Sequence, residues 1–173
     1  MRKKSLLLVA IGSSALFLSG CASGSSDTGS GSTYVPPVQE TAKVTGGFDS
    51  PLALPDGSTF TLSSPSIFTP GHFASGQLKG QKYEGFKITV ENKTKGPLDL
   101  STLIVSGTTD AGACADIFDG DHNVNGAPTE KVAVGATVEV DWALSCPGAA
   151  GSKLDVTLQN NGTNLIQATG KLA

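Results

Sequence analysis

The sequence predicts an all-β domain, an antiparallel β-sandwich over residues 45–173, and three observations predict it. Beyond residue 44 no stretch sustains a helical period of apolar residues, whereas alternation of apolar and polar residues recurs. About eight or nine such segments are parted by Gly, Pro, Asn and Asp, the residues that turns require. Two cysteines, Cys114 and Cys146, are available to cross-link the result.

The elements follow in chain order. A short strand is expected near 51–54, then Pro55-Asp56-Gly57 marks a turn and Phe60-Thr61-Leu62 starts the next strand. Pro70-Gly71 breaks the chain again. From Tyr83 to Glu91 the apolar Phe86, Ile88 and Val90 alternate with polar neighbours, so this strand buries one face. Gly96-Pro97 ends that region, and shorter strands are expected near 98–106, 113–118 and 130–134. Val138, Val140, Trp142, Leu144 and Cys146 share one parity, with Glu139 and Asp141 on the other. Leu154, Val156 and Leu158 repeat the pattern, and a last strand is expected near 164–169.

The residues before this domain give an address. Arg2, Lys3 and Lys4 precede 13 residues from Leu6 to Leu18 that are mostly apolar, the layout of a secretion signal. A permanent membrane span needs about 20 apolar residues, so this run is too short to remain as one. Leu18-Ser19-Gly20-Cys21 then resembles the lipobox of bacterial lipoproteins. The resemblance implies removal of residues 1–20 and acylation (palmitate or a similar chain) of Cys21, hence a membrane partner through that lipid. Two such chains suffice for stable anchoring. Residues 22–33 contain no apolar side chain larger than Ala, so residues 21–44 read as a lipidated cysteine and a flexible Gly/Ser/Pro linker, stiffened at Pro36-Pro37. The expected address is the cell envelope, with the domain outside the cytoplasm.

A second resemblance lies in the domain itself. Phe86-Lys87-Ile88-Thr89-Val90-Glu91-Asn92-Lys93-Thr94, followed by Pro97-Leu98-Asp99-Leu100, is similar to the central strand and following loop of bacterial immunoglobulin-like lipoprotein domains. Val134-Gly135-Ala136-Thr137-Val138-Glu139-Val140 is similar to their later strand entry, where Pro-Gly is commoner than Val-Gly. The Cys, Trp and Cys spacing of antibody domains is absent, because Trp142 sits four residues before Cys146. The resemblance implies an immunoglobulin-like sandwich and an extracellular setting. It transfers no catalytic residue.

Composition narrows the function. Once residues 1–20 are removed, 9 basic residues face 15 acidic ones, a net charge of −6, and no Arg follows Arg2. Binding to a polyanion needs Lys and Arg in number, so nucleic acid is not an expected partner. Cys114 and Cys146 form an even pair in an exported chain, which suggests a disulfide; two buried thiols, or one thiol with a chemical role, are the other readings.

Among polar clusters the densest is Asp116, Asp119, Asp121, His122, Asn123 and Asn125. Asp121 to Gly126 matches the first half of a calcium loop, with Asp119, Asp121, Asn123 and Asn125 as candidate ligands. The second half fails, since Val132 stands where a bidentate Glu is needed and Glu130 comes two residues early. A solvated turn explains the same residues. His72 and His122 are the only histidines, and no G-x-S-x-G elbow surrounds any serine. Gly71 and Gly76 have phosphate-loop spacing, but Gln77 replaces the lysine. Trp142 has the parity of a core residue, while Tyr34 and Tyr83 are freer for contact. Lys79 to Lys95 and Asp99 to Asp121 make either a bipolar surface or ordinary solvated strands. Asn92-Lys93-Thr94 and Asn161-Gly162-Thr163 match a glycosylation triplet without meaning in such a chain.

These readings converge on a lipid-anchored, non-catalytic binding module for an envelope or extracellular protein or ligand. A calcium-dependent ligand binder is the alternative. A hydrolase would need a pocket that brings His72 or His122 to a serine and a carboxylate.

Overall fold

Strands whose alternate side chains are apolar must lay that face against another sheet, and here two sheets do so. The structure, a computed structural model, describes residues 44–173. The lipobox, Cys21, Tyr34 and the linker lie outside the described residues. Eleven strands are found among those described: β1 (Val44–Gly47), β2 (Leu52–Ala53), β3 (Ser58–Leu62), β4 (Ser66–Ile67), β5 (Lys82–Asn92), β6 (Ile104–Thr109), β7 (Gly112–Ala113), β8 (Ala115–Ile117), β9 (Thr137–Cys146), β10 (Lys153–Asn160) and β11 (Thr163–Lys171). The only helical piece among them is a 3-10 turn at Gly120–His122.

Sheet one runs β1-β11-β10-β6-β7, and sheet two runs β2-β3-β5-β9-β8 with β4 also paired to β5. Phe60, Ile88, Val90 and Leu144 from sheet two meet Val105, Leu154, Leu158 and Ile166 from sheet one in a single core. Trp142 belongs to it, 5% exposed, as its parity requires. Cys114 and Cys146 are bonded, with Cα atoms 4.2 Å apart. Cys114 lies between β7 of one sheet and β8 of the other, so the disulfide ties that crossover to β9.

The predicted all-β sandwich forms, and three details differ. The sandwich is not wholly antiparallel, because β1 pairs with β11 in parallel, Val44 opposite Ile166 and Gly47 opposite Thr169. Alternation fixes the face a strand buries but not the direction of its neighbour. Parallel neighbours need a long connection, and the whole domain separates these two. The strand expected near 130–134 is only a bridge of Val132 to Leu98, and the one near 98–106 begins at Ile104. After the Leu98 bridge the turn at Leu100–Leu103 interrupts pairing until Ile104.

Asn92 explains the loop after β5. Its side chain is buried; Nδ2 donates to Gly96 O at 3.0 Å and Val132 O at 2.8 Å, while Oδ1 accepts from Thr94 N. The triplet that begins at Asn92 is therefore a structural staple, closed to modification.

Candidate functional site

The two sheets differ on their outer sides, and the site follows from that difference. After β3 the chain crosses the outside of sheet two as a strap, residues 63–81, before entering β5. Phe68 N donates to Tyr83 O at 2.8 Å, Ser75 exchanges two main-chain bonds with Phe118, and Leu78 N donates to Ser145 Oγ at 3.1 Å. Beneath it a second cluster forms from Ile117, Val124 and Ala143, with Phe68, Ala74 and Tyr83 packed against it. Gly85 admits the strap, because a Cβ there would come within 3.1 Å of the Phe68 ring. Tyr83, expected to be free for contact, packs under the strap and donates its hydroxyl to Leu78 O at 3.3 Å.

The polar loop after β8 closes the far side. Asp119 and Val124 exchange main-chain bonds, and the 3-10 turn sits between them. Asp119 is 1% exposed, yet its carboxylate is fully engaged. It accepts from Gly71 N at 2.7 Å, Asp121 N at 3.1 Å and His122 Nδ1 at 2.7 Å. The Gly71 amide and the other donors hold it below the usual carboxylate range. Gly71 brings the main chain close to both carboxylates: a Cβ there would lie 2.9 Å from Asp121 Oδ2 and 3.1 Å from Asp119 Oδ1.

The calcium candidates are thus put to other uses. Asp119 is a cap and a His122 orienter; Asn123 ends the turn in the left-handed region at φ 58°; Asp121 and Asn125 are exposed. Among the described residues no three His, Cys, Asp or Glu side chains gather to hold a metal ion. Alternate oxygens in a calcium loop must converge on one point. Here the 3-10 turn sends Asp119 inward.

Between strap, loop and sheet lies a groove of about 370 Å³, lined by Ser63, Ser66, Phe68, Lys87, His122 and Asp141 among others. Phe68 and His122 meet edge to face, centroids 5.5 Å apart. An Asp–His pair beside two serines is part of what hydrolysis needs, but neither serine bonds the imidazole. Ser66 Oγ donates to Gly85 O at 3.2 Å and Ser63 Oγ accepts from Lys87 N at 2.9 Å. His72 is exposed, its ring against Phe73. Charges of opposite sign are interleaved: Lys87 Nζ meets Glu139 at 2.8 Å and Lys131 meets Asp99 at 3.4 Å.

Exposed large apolar side chains gather on this side too. Phe73 is 84% and Ile67 75% exposed, with Leu78 and Phe118 about half exposed. All four lie on the strap or at its bridge to Phe118. Sequence reasoning passed over the strap because it reads as loop.

One buried acid also escaped notice. Glu84, 0% exposed, faces the core from β5 and accepts from Ala173 N at 3.1 Å and 3.2 Å. Burial raises its pKa. Its parity with Phe86, Ile88 and Val90 was the available signal.

No family profile and no curated relative matches the chain. Solved structures share the fold. The secreted protein MPT63 of Mycobacterium tuberculosis superposes with a TM-score of 0.50 at 15% identity, covering 73% of this chain and 97% of its own. YcdA of Bacillus subtilis, provisionally assigned as a lipoprotein, gives 0.50 at 15% identity over 68% of this chain and 36% of its own. The chain is a β-sandwich, and these likenesses carry the fold alone.

Proposed function

We propose that the protein is exported, lipidated on Cys21 and active at the outer face of a membrane as a non-catalytic binding module. On this reading the strap side of sheet two is the contact surface. The observation that carries it is that four of the six exposed large hydrophobics among the described residues, Ile67, Phe73, Leu78 and Phe118, belong to the strap or its bridge, with Ile104 and Val134 lying elsewhere. Exposed apolar groups concentrated in one place mark interaction sites more often than the same groups scattered. A lipid tether would raise the local concentration of the domain, so a weak contact could act. The residues before Cys21, the disulfide, and the secreted and lipoprotein descriptions of the two fold relatives support the address. An immunoglobulin-like assignment rests on the residue resemblance at 86–100 and 134–140.

The test is photo-cross-linking on intact cells, with the reactive residue at position 73 or, as a control on sheet one, at position 104. Products at 73 and none at 104 support the reading; equal capture, or none, overturns it. Mass spectrometry of the native protein tests the tether, since a mature end without fatty acid removes it. Calcium and chelator should leave the melting temperature unchanged, because Asp119 already accepts three donors. A rise of several degrees with calcium would restore the metal reading.

A further inference from the structure

Sheet two leaves part of one edge open. β9 pairs with β5 from Thr137, opposite Glu91, to Cys146, opposite Lys82. On its other side β8 pairs only with Ala143, Leu144 and Ser145. Beyond Ile117 the chain leaves that line, because Phe118 exchanges main-chain bonds with Ser75 of the strap. The place beside residues 137–141 of β9 therefore holds no strand among the described residues. In an antiparallel pair, successive residues turn their N–H and C=O to opposite sides. Ala136 O accepts from Asn92 N at 2.9 Å, so the main-chain groups of Val138 and Val140 face β5. Those of Thr137, Glu139 and Asp141 face outward, and among the described residues no main-chain bond reaches them on that side.

A cavity of about 440 Å³ opens at the start of this edge, with Val132, Ala136 and Val138 as apolar walls. Glu130 and Lys131, also in its wall, offset each other. On the outer face of the edge, Glu139 and Asp141 are exposed. Lys87 bonds Glu139 at 2.8 Å from the β5 side, so this row sets two carboxylates against one ammonium. A second copy of β9 is the wrong occupant. The register that uses all three outward residues sets Glu139 against Glu139, and like charges directly opposite destabilise a strand pair. Residues 21–43 of this chain carry one basic side chain, Lys43, immediately before β1.

We propose that the open edge of β9 takes an extended segment of a partner polypeptide as an added strand. The segment carries Lys or Arg opposite Glu139 and Asp141, and an apolar side chain opposite Val138 that enters the cavity. In strand addition the main-chain bonds supply affinity and the alternate side chains supply specificity. This edge is a second surface, and its case does not depend on the strap contact.

The experiment titrates the full chain, in detergent, with three peptides and follows amide exchange by NMR. The probes are Thr-Lys-Val-Lys-Val-Lys-Thr, the same peptide N-methylated at its three lysines, and Thr-Glu-Val-Glu-Val-Glu-Thr. The lysine peptide should bind and slow exchange at the Glu139 and Asp141 amides. N-methylation keeps the charge but removes the donors that face β9, and should weaken binding about tenfold or more. The glutamate peptide should be weaker by a similar factor. Thr137→Pro removes one outward N–H, leaves the bonds to β5 and changes no charge, a substitution that an edge strand tolerates. It too should weaken the lysine peptide, with the melting temperature showing that it folds; the methylated peptide carries the test if it does not. Equal binding of the methylated peptide, equal binding of the lysine and glutamate peptides, or no binding overturns the proposal. So does a folded Thr137→Pro that binds undiminished, or a free chain whose Glu139 and Asp141 amides are as protected as those of Val138 and Val140.

Discussion

The two outer faces of the sandwich start from the same strand chemistry and end differently. On sheet one, β10 and β11 alternate cleanly: Leu154, Val156 and Leu158 are buried, while Asp155, Thr157 and Gln159 face out. Among the described residues no strap crosses them. On sheet two the strap and the polar loop cover the outer face, and β9 is buried on both sides from Trp142 to Cys146. A sheet face that is already polar is finished by water. One that carries Gly85, Ala143 and Ser145 is flat enough for the chain to fold back onto it. The second cluster, the groove and the exposed apolar residues all follow from that covering.

The largest effect should come from the bond that joins the two halves. Replacing both Cys114 and Cys146 by Ser should cost about 3–4 kcal/mol on the chain-entropy account for a loop of 32 residues. Urea unfolding measures it. Because the disulfide holds β8 and its crossover to β9, hydrogen exchange should rise first in β8 and the strap. Uniform loosening of both sheets would show that the halves are not independent.

A smaller loss, about 1–3 kcal/mol, is expected for Phe68→Ala, since the ring is half-buried and truncation leaves a gap under the strap. Thr157→Ala, on the uncovered face of sheet one, should stay within about 0.5 kcal/mol. Thermal unfolding of the pair compares the faces directly. Similar small losses would mean that the second cluster contributes little and that the strap is held by its main-chain bonds.

This contrast also explains what could be read from the residues alone. The inner faces were legible because Phe86, Ile88, Val90, Leu154, Val156 and Leu158 recur with period two, and Trp142 followed from its parity. The strap was not legible, because its hold on the sheet is main-chain bonding to Tyr83 and Phe118 and an amide bond to the Ser145 hydroxyl, which leave no periodicity. The groove's His122 was noticed, but its tie to Asp119 needs the 3-10 turn that brings residues three apart together. Asp119 was read as an oxygen for a cation, whereas the amides of Gly71 and Asp121 claim it. The composition of a cap and that of a calcium loop are the same. Only the fold separates them.

Two buried acids sharpen the comparison through pH. Glu84, in the core, has a pKa raised from 4.5 by burial, so the folded chain keeps its proton to higher pH than the unfolded chain does. Stability should fall as pH rises through the window between those two values. Glu84→Gln keeps an oxygen for Ala173 N but no charge. It should match the wild type below that window, exceed it increasingly across the window and keep a constant margin above it. Asp119, under the strap, has the opposite sign. Its pKa is lowered from 3.8, chiefly by the Gly71 amide, so its contribution is present above that value and lost as pH falls through the lowered one. Denaturant midpoints measured from pH 3 to pH 8 test both. A Glu84→Gln profile parallel to the wild type would place the carboxylate in contact with water.

The smallest effect is expected where the covered sheet emerges into solvent. Lys87 and Glu139 pair across β5 and β9 with Nζ and Oε2 2.8 Å apart, and their side chains are 45% and 57% exposed. The hydrogen bond that Lys87 donates to Glu139 foremost, and then the charges of Glu139 and Asp141, raise the lysine's pKa. Such exposed pairs contribute about 0.2–1 kcal/mol, because water screens the attraction and two long side chains must be ordered. A double-mutant cycle with Lys87→Met and Glu139→Gln should return a coupling in that range, and salt should shrink it. A coupling well above about 1 kcal/mol that resists salt would mean the pair is shielded. The groove's Lys87 wall would then be closed off from water on the Glu139 side.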